Sequence, residues 1–139
     1  LLLERCNPEE SGLNVKEKFG YTAFMWASRN GHKDVVQLFL DHSERIDLNA
    51  RYMRGMTAFM EACGRGHKDV VQLFLDNSER IELNARSNNG GTAFMIACSR
   101  ERKDVVQLLL EHSTDLDITI LENFSLSPEI RFLIEIHQR

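Results

Sequence analysis

The sequence predicts an all-α solenoid, a row of stacked helix-turn-helix pairs joined by short β-hairpin-like turns. Three observations predict it. Thr22-Ala23-Phe24-Met25 recurs as Thr57-Ala58-Phe59-Met60 and again as Thr92-Ala93-Phe94-Met95. Lys33-Asp34-Val35-Val36-Gln37-Leu38 recurs from Lys68 and from Lys103, in the same register of 35 residues. Residues 33–51 and 68–86 differ only at His42/Asn77 and Asp47/Glu82. Such a period marks one supersecondary unit copied along the chain. A helix pair this short cannot bury its apolar face alone, so it must stack on a neighbour.

Each unit divides into the same elements. A first helix over residues 22–30 is predicted to open at Thr22, whose hydroxyl can accept from a free backbone N–H. It ends at Gly31, a residue suited to the left-handed conformation past a helix end. A second helix over 33–42 carries Val35, Val36, Phe39 and Leu40 at helical spacing, a broad apolar face, and Asp34 in its first turn suits the helix dipole. Ser43-Glu44-Arg45 then forms a polar link to the extended stretch 46–51, and Gly55 closes a turn before the next Thr.

The ends of the row follow from the same pattern. Near the C-terminus Asp115-Leu116-Asp117 replaces Asp47-Leu48-Asn49, Asn123 stands at the turn Gly, and Ser125 stands at the Thr. Asn tolerates the left-handed conformation best among the alternatives. Ser127-Pro128-Glu129 reads as a helix start with Pro at its first position. Ile130, Leu133, Ile134 and His137 give that helix one mostly apolar side, as a capping helix needs. Leu1-Leu2-Leu3-Glu4 matches the end of a second helix, and no Met opens the chain, so it is expected to begin inside a longer array. The expected division is 1–13 as the end of a preceding repeat, 14–48, 49–83 and 84–116 as repeats, and 117–139 as a degenerate capping repeat.

Gly20-Tyr21-Thr22, Gly31-His32, Val35-Val36-Gln37-Leu38 and Asp47-Leu48-Asn49-Ala50 resemble the ankyrin repeat family, in register over most of the chain. The resemblance implies a protein-interaction module whose partners touch the turn tips and the exposed side of the first helices, the concave face. There are departures from the family pattern. Ala23-Phe24-Met25 replaces Pro-Leu-His in every copy, so the family's Thr–His hydrogen bond cannot form. The spacing of 35 exceeds the usual 33, with Ser43-Glu44-Arg45-Ile46 and Ser78-Glu79-Arg80-Ile81 holding the extra residues. The third link shortens to Ser113-Thr114. Glu101 takes the place of Gly31 and Gly66.

Composition excludes several functions. Apolar residues make up 42% and charged residues 27%, as in ordinary soluble domains. A net charge of -4 and a pI near 5.7 argue against nucleic acid as a ligand. No apolar run is long enough to span a bilayer, and no membrane association is expected. Cys6, Cys63 and Cys98 are too few and too odd in number for a disulfide framework, which points to an intracellular, cytoplasmic or nuclear, setting. The sequon Asn123-Phe124-Ser125 is then an unused match.

No catalytic residue, metal ligand or cofactor is expected. His32 and His67 are repeat-equivalent, and no Cys or carboxylate stands at ligand spacing from them; the resemblance implies a structural role in the turn between helices. Cys63 and Cys98 share the place of Ser28 on first helices of adjacent units. Helices about 8–10 Å apart do not bring two Cα atoms within the about 7 Å a disulfide needs, so two separate buried thiols are expected.

The second helices barely vary between copies, while the turns and first helices do. The variable positions are the candidate partner-binding residues: Lys18, Phe19, Tyr21, Trp26 and Arg29 in the first unit; Arg51, Met53, Arg54, Met56 and Arg65 in the second; Arg86, Asn88 and Arg100 in the third. Arg, aromatic residues and Met are enriched at protein interfaces. The only carboxylates on this face are Glu17 and Glu61, so the acidity must lie on the second helices and links. The partner expected is another protein or peptide, an acidic segment with apolar anchors, held by a monomer. The competing expectation is a structural spacer, or a regulatory array attached to another domain.

Overall fold

A computed structural model describes residues 22–112, 116–118 and 126–138, and at Arg45 the backbone alone. Among these residues the elements are α1 (Ala23–Arg29), α2 (Lys33–Asp41), α3 (Ala58–Arg65), α4 (Lys68–Asp76), α5 (Ala93–Ser99), α6 (Lys103–Glu111) and α7 (Pro128–Gln138). Short 3-10 turns cover Ser43–Arg45, Met53–Gly55 and Ser78–Arg80. The helices form two rows. α1, α3 and α5 stack on one another as an inner row, and α2, α4 and α6 as an outer row. Each inner helix packs on the outer helix that follows it. No strand is present among the described residues. The hairpin-like turns reduce to one antiparallel bridge between Tyr52 and Met56.

The inner helices start where the Thr predicts. Thr22, Thr57 and Thr92 each accept from the backbone N–H three residues on, at 3.3 Å, and all three are buried. Their caps therefore do without the family's Pro-Leu-His. Met25, Met60 and Met95 are at most 1% exposed. Phe24, Phe59 and Phe94 fill the core between the rows. Phe39 and Phe74 come from the outer row and meet the inner phenylalanines edge-on. Phe24 lies 5.7 Å from Phe39 and 5.6 Å from Phe74, and Phe59 lies 5.6 Å from Phe74. The rings thus alternate across the rows and join two consecutive units. Small residues let the inner helices approach closely: Ala27, Ala62 and Ala97 are buried, as are Ser28, Cys63 and Cys98. Ser28 Oγ donates to the Phe24 carbonyl at 2.9 Å, which satisfies its hydroxyl inside the core.

Polar side chains lock one unit to the next. His67 Nε2 donates to the Arg29 carbonyl at 2.7 Å. In the third unit Arg102 replaces the His, and its Nε donates to the Gly64 carbonyl at 3.0 Å. Asn49 donates to the Arg80 carbonyl at 3.0 Å and accepts from Glu82 N at 2.9 Å. Asn84 accepts from Asp117 N at 2.6 Å. His67 and the Asn of Leu-Asn-Ala are therefore inter-unit ties. The extra residues of the 35-residue unit serve the same end. The Ser78–Arg80 turn sends Arg80 Nη1 back to the Leu40 carbonyl, at 3.1 Å, and to Ser43 Oγ.

Two details differ from the sequence reading. Val35 is 42% exposed, whereas Val70 and Val105 are at most 1% exposed. The last two lie in α4 and α6, each packed behind another outer helix, and α2 is the first described helix of that row. On α7, Ile130 and Ile134 are buried against α6, but His137 is exposed, and so are Phe132 (58%) and Ile136 (48%). The helix caps the row with a narrower stripe than expected, because the packing takes only Ile130, Leu133 and Ile134. Pro128 is its first residue, and Ser127 Oγ accepts from Ile130 N at 3.3 Å. Residues 1–13, Cys6, Ser113-Thr114, Asn123 and Ser125 lie outside the described residues.

Candidate functional site

The candidate face is built from the turns and the inner helices. Lys18, Phe19 and Tyr21 lie outside the described residues. Of the others, Trp26 on α1 is 45% exposed, with the Arg29 guanidinium 5.8 Å from its ring centre. Met53, at the tip of a 3-10 turn, is 45% exposed. Arg51, Arg54, Arg65, Arg86, Asn88 and Arg100 are all exposed.

Exposure does not make these arginines equivalent. Arg51 Nη1 donates to the Gly55 carbonyl at 3.2 Å and to the Arg86 carbonyl at 2.5 Å. Arg86, its counterpart, donates to the Gly90 carbonyl at 2.9 Å and pairs with Asp117 at 3.2 Å. Each closes its own turn and ties it to the next unit. Arg54 and Arg100 differ: neither forms an ion pair among the described residues. Arg54 is held at φ +69° in the left-handed region, with its carbonyl accepting from Asn88 N at 2.8 Å. A methyl built on Gly64 would stand 2.9 Å from Arg100 Nη1 and from Ile96 Cγ2. The bare glycine therefore gives Arg100 its bed; Arg29 and Ser99 occupy that position in the other units.

These residues line a groove of about 390 Å³ between the second and third units. Arg54, Arg100, Asn88, Asn89 and Ser99 supply polar groups, Met56 and Ile96 supply apolar surface, and no carboxylate is among the lining residues. A larger hollow, of about 580 Å³, lies at the 78–85 link. Its counterpart recurs around residues 43–49, so it is a product of the repeated link and is no more specific than the link.

Two residues placed on the open face by sequence are buried. Met56 is 9% exposed and belongs to the apolar core. It pairs with Tyr52 across the turn, and its long side chain is covered, with only part lining the groove. Glu61 is 4% exposed. Its Oε1 accepts from the Tyr52 hydroxyl, and Arg65 Nε lies 3.6 Å from Oε2. Oε2 is buried with no hydrogen bond. Tyr52 was not among the sequence candidates. It takes the repeat position of Glu17 and Ser87, and that irregularity was the signal available.

The carboxylates that give the chain its negative charge lie elsewhere. Asp34, Asp41, Asp69, Asp76 and Asp104 are exposed on the outer row, and Glu44, Glu79 and Glu82 on the links. Cys63 and Cys98 are buried and unbridged. Burial pushes both thiols up, Cys98 to about 12, which keeps them protonated and poor nucleophiles. Among the described residues no group of three or more His, Cys, Asp or Glu is placed to hold a metal ion, and no helix is long and apolar enough to cross a membrane.

Comparison with known proteins agrees with this architecture. The profile of ankyrin repeats, in three copies, matches residues 1–81 and 47–120. Osteoclast-stimulating factor 1 of Monopterus albus is 46% identical over 39 residues, 28% of this chain and 18% of that protein. The chain thus spans under a fifth of that relative's length. Ankyrin repeats are, as a class, modules that bind other proteins. Matched over most of its length and built of the stacked units just described, the chain belongs to the ankyrin repeat family.

Proposed function

We propose that the chain, acting as an intracellular monomer, holds an acidic segment of another protein along its concave face, with apolar anchors in the groove between the second and third units. One observation carries this reading: the groove joins two guanidiniums, Arg54 and Arg100, to the apolar surface of Met56 and Ile96, with no lining carboxylate. An acidic side chain is attracted there and an apolar neighbour can be covered. On the outer row the dense carboxylates repel the same ligand. Trp26 and Met53 extend the contact surface. Arg51 and Arg86 shape the turns that frame it.

The test uses arrayed capped peptides in two sets, one placing Asp or Glu beside Leu, the other placing Lys beside Leu. The acidic set is retained, and retention weakens as salt rises. The double change Arg54→Glu and Arg100→Glu weakens it by about tenfold or more, as charge reversal of a desolvated contact does. Those two residues are chosen because substituting Arg51 or Arg86 would also loosen the turns. Equal retention of both sets, or a charge-reversed chain that binds as before, defeats the reading. An array serving only as a spacer would retain neither set.

A further inference from the structure

The inner helices present one residue each at the repeat position of Trp26, Glu61 and Ile96. Trp26 and Ile96 are apolar, and Glu61 interrupts the row. It interrupts it at a cost. Glu61 is 4% exposed, and only one of its oxygens accepts a hydrogen bond, from the Tyr52 hydroxyl. Oε2 is buried and accepts no hydrogen bond. The nearest cation, Arg65, sits one helical turn on, at 3.6 Å, beyond hydrogen-bonding range. Its side chain is 42% exposed. An aliphatic residue, as at 96, would pack this place without burying a charge. Glu61 therefore holds surplus acceptor capacity that the chain itself leaves unused.

We propose that Glu61 is a recessed receptor for a basic side chain of the partner, an arginine in preference to a lysine, which displaces Arg65 and completes the carboxylate. This rests on the concave face being the binding face. A guanidinium can give both carboxylate oxygens a charge-assisted hydrogen bond in a planar fork, which an ammonium cannot. The neighbouring inner helix offers the exposed Trp26 ring, which already accommodates the Arg29 guanidinium at 5.8 Å. The proposed acid-binding groove reaches one unit further along, to Ile96 and Arg100. Adjacent helices lie about 8–10 Å apart, and an extended chain advances about 3.3 Å per residue. The partner segment then carries its basic and acidic side chains roughly three residues apart, with an apolar residue between them.

Trp26 is the only tryptophan of the chain, so its fluorescence reports on the site. The probes are capped peptides containing Arg-Ala-Leu-Asp or, for the opposite direction, Asp-Leu-Ala-Arg, and the same peptides with norleucine for Arg. For one of the two directions the Arg peptide binds about tenfold more tightly than its norleucine twin, the gain of a desolvated charge pair. Glu61→Ile erases that difference and leaves the melting temperature equal or higher. Glu61→Gln, which keeps an acceptor for Tyr52, erases it as well. Arg65→Ala strengthens the Arg peptide several-fold by vacating the carboxylate. Equal affinity of Arg and norleucine peptides for the wild type, or a difference that survives both Glu61 changes, overturns the proposal while leaving the acidic-segment reading in place. Arg54→Glu with Arg100→Glu weakens both twins alike and tests that reading by itself. If no peptide binds, acetyl-arginine amide titrated against the Trp26 indole resonance decides the matter. A saturable shift that Glu61→Gln abolishes supports the recess, and no shift overturns it.

Discussion

Among the described residues, two other than glycine occupy the left-handed region, Arg54 at φ +69° and Glu101 at +57°. Glu101 stands where Gly31 and Gly66 stand, and it keeps their turn, with its N–H donating to the Cys98 carbonyl at 3.1 Å. The substitution is therefore absorbed as backbone strain, and the path of the chain is unchanged. Glu101 is exposed, so little packing is lost with its side chain. Glu101→Gly is expected to stabilise the fold by about 1 kcal/mol, the cost of holding a Cβ in that conformation. Urea unfolding checks it: the midpoint rises while the slope stays constant. Arg54 presents the same strain with a different consequence. It lines the groove proposed to take the partner's acidic segment, and on that proposal Arg54→Gly would exchange binding for stability. Strain that serves no visible contact at 101 and a groove at 54 separates the two positions, and sequence alone could flag only the first, where a repeat glycine is missing.

At the scale of elements, the caps, the two helices and the turn glycines were all legible, because each depends on residues within a few positions of one another. Thr22 and Met25 are neighbours in both sequence and space. The ties between units were not legible in the same way. The Ser78–Arg80 turn could be seen as extra length, but its purpose depends on the Leu40 carbonyl, which is 40 residues away. Arg51 and Arg86 looked like free binding arginines for the same reason. Their acceptors are backbone carbonyls and, for Arg86, the carboxylate of Asp117 in the next unit, and no local side-chain pattern reveals those. Glu61 was misplaced because helical spacing assigns it to the inner face but says nothing of the Tyr52 hydroxyl that covers it. Arg80 tests the account of the long repeat. It bonds to Leu40, Ser43 and Asn77 and is partly exposed. Arg80→Ala should remove about 1 kcal/mol, a net hydrogen-bond contribution, and lower the melting temperature by about 4 °C for a chain of this size. A melting temperature that does not move would mean that the extra residues are only a spacer.

The described residues form a row in which the main helix contacts run within a unit or to the next, so its stability is the sum of weak units and the interfaces between them. The aromatic contacts show where one such interface is concentrated. Phe74 is fully buried and meets Phe24 of the unit before and Phe59 of its own unit. In the third unit Leu109 takes that place, also fully buried, so an aliphatic side chain can fill it but cannot supply the edge-on ring contacts. Phe74→Leu should therefore cost far less than Phe74→Ala, for which about 3–5 kcal/mol is expected from the cavity and the lost burial. Where the loss appears matters more than its size. The cavity opens between the first two units and spares the packing of α5 on α6 and of α6 on α7. Amide hydrogen exchange in Phe74→Ala should show α1 and α2 losing protection first, with α5 and α6 keeping theirs, and thermal unfolding should broaden as the row ceases to melt as one. Uniform loss of protection across all seven helices would instead mean that the units are coupled beyond their nearest neighbours. The aromatic junction would then be one contribution among many, with no special place in holding the row together.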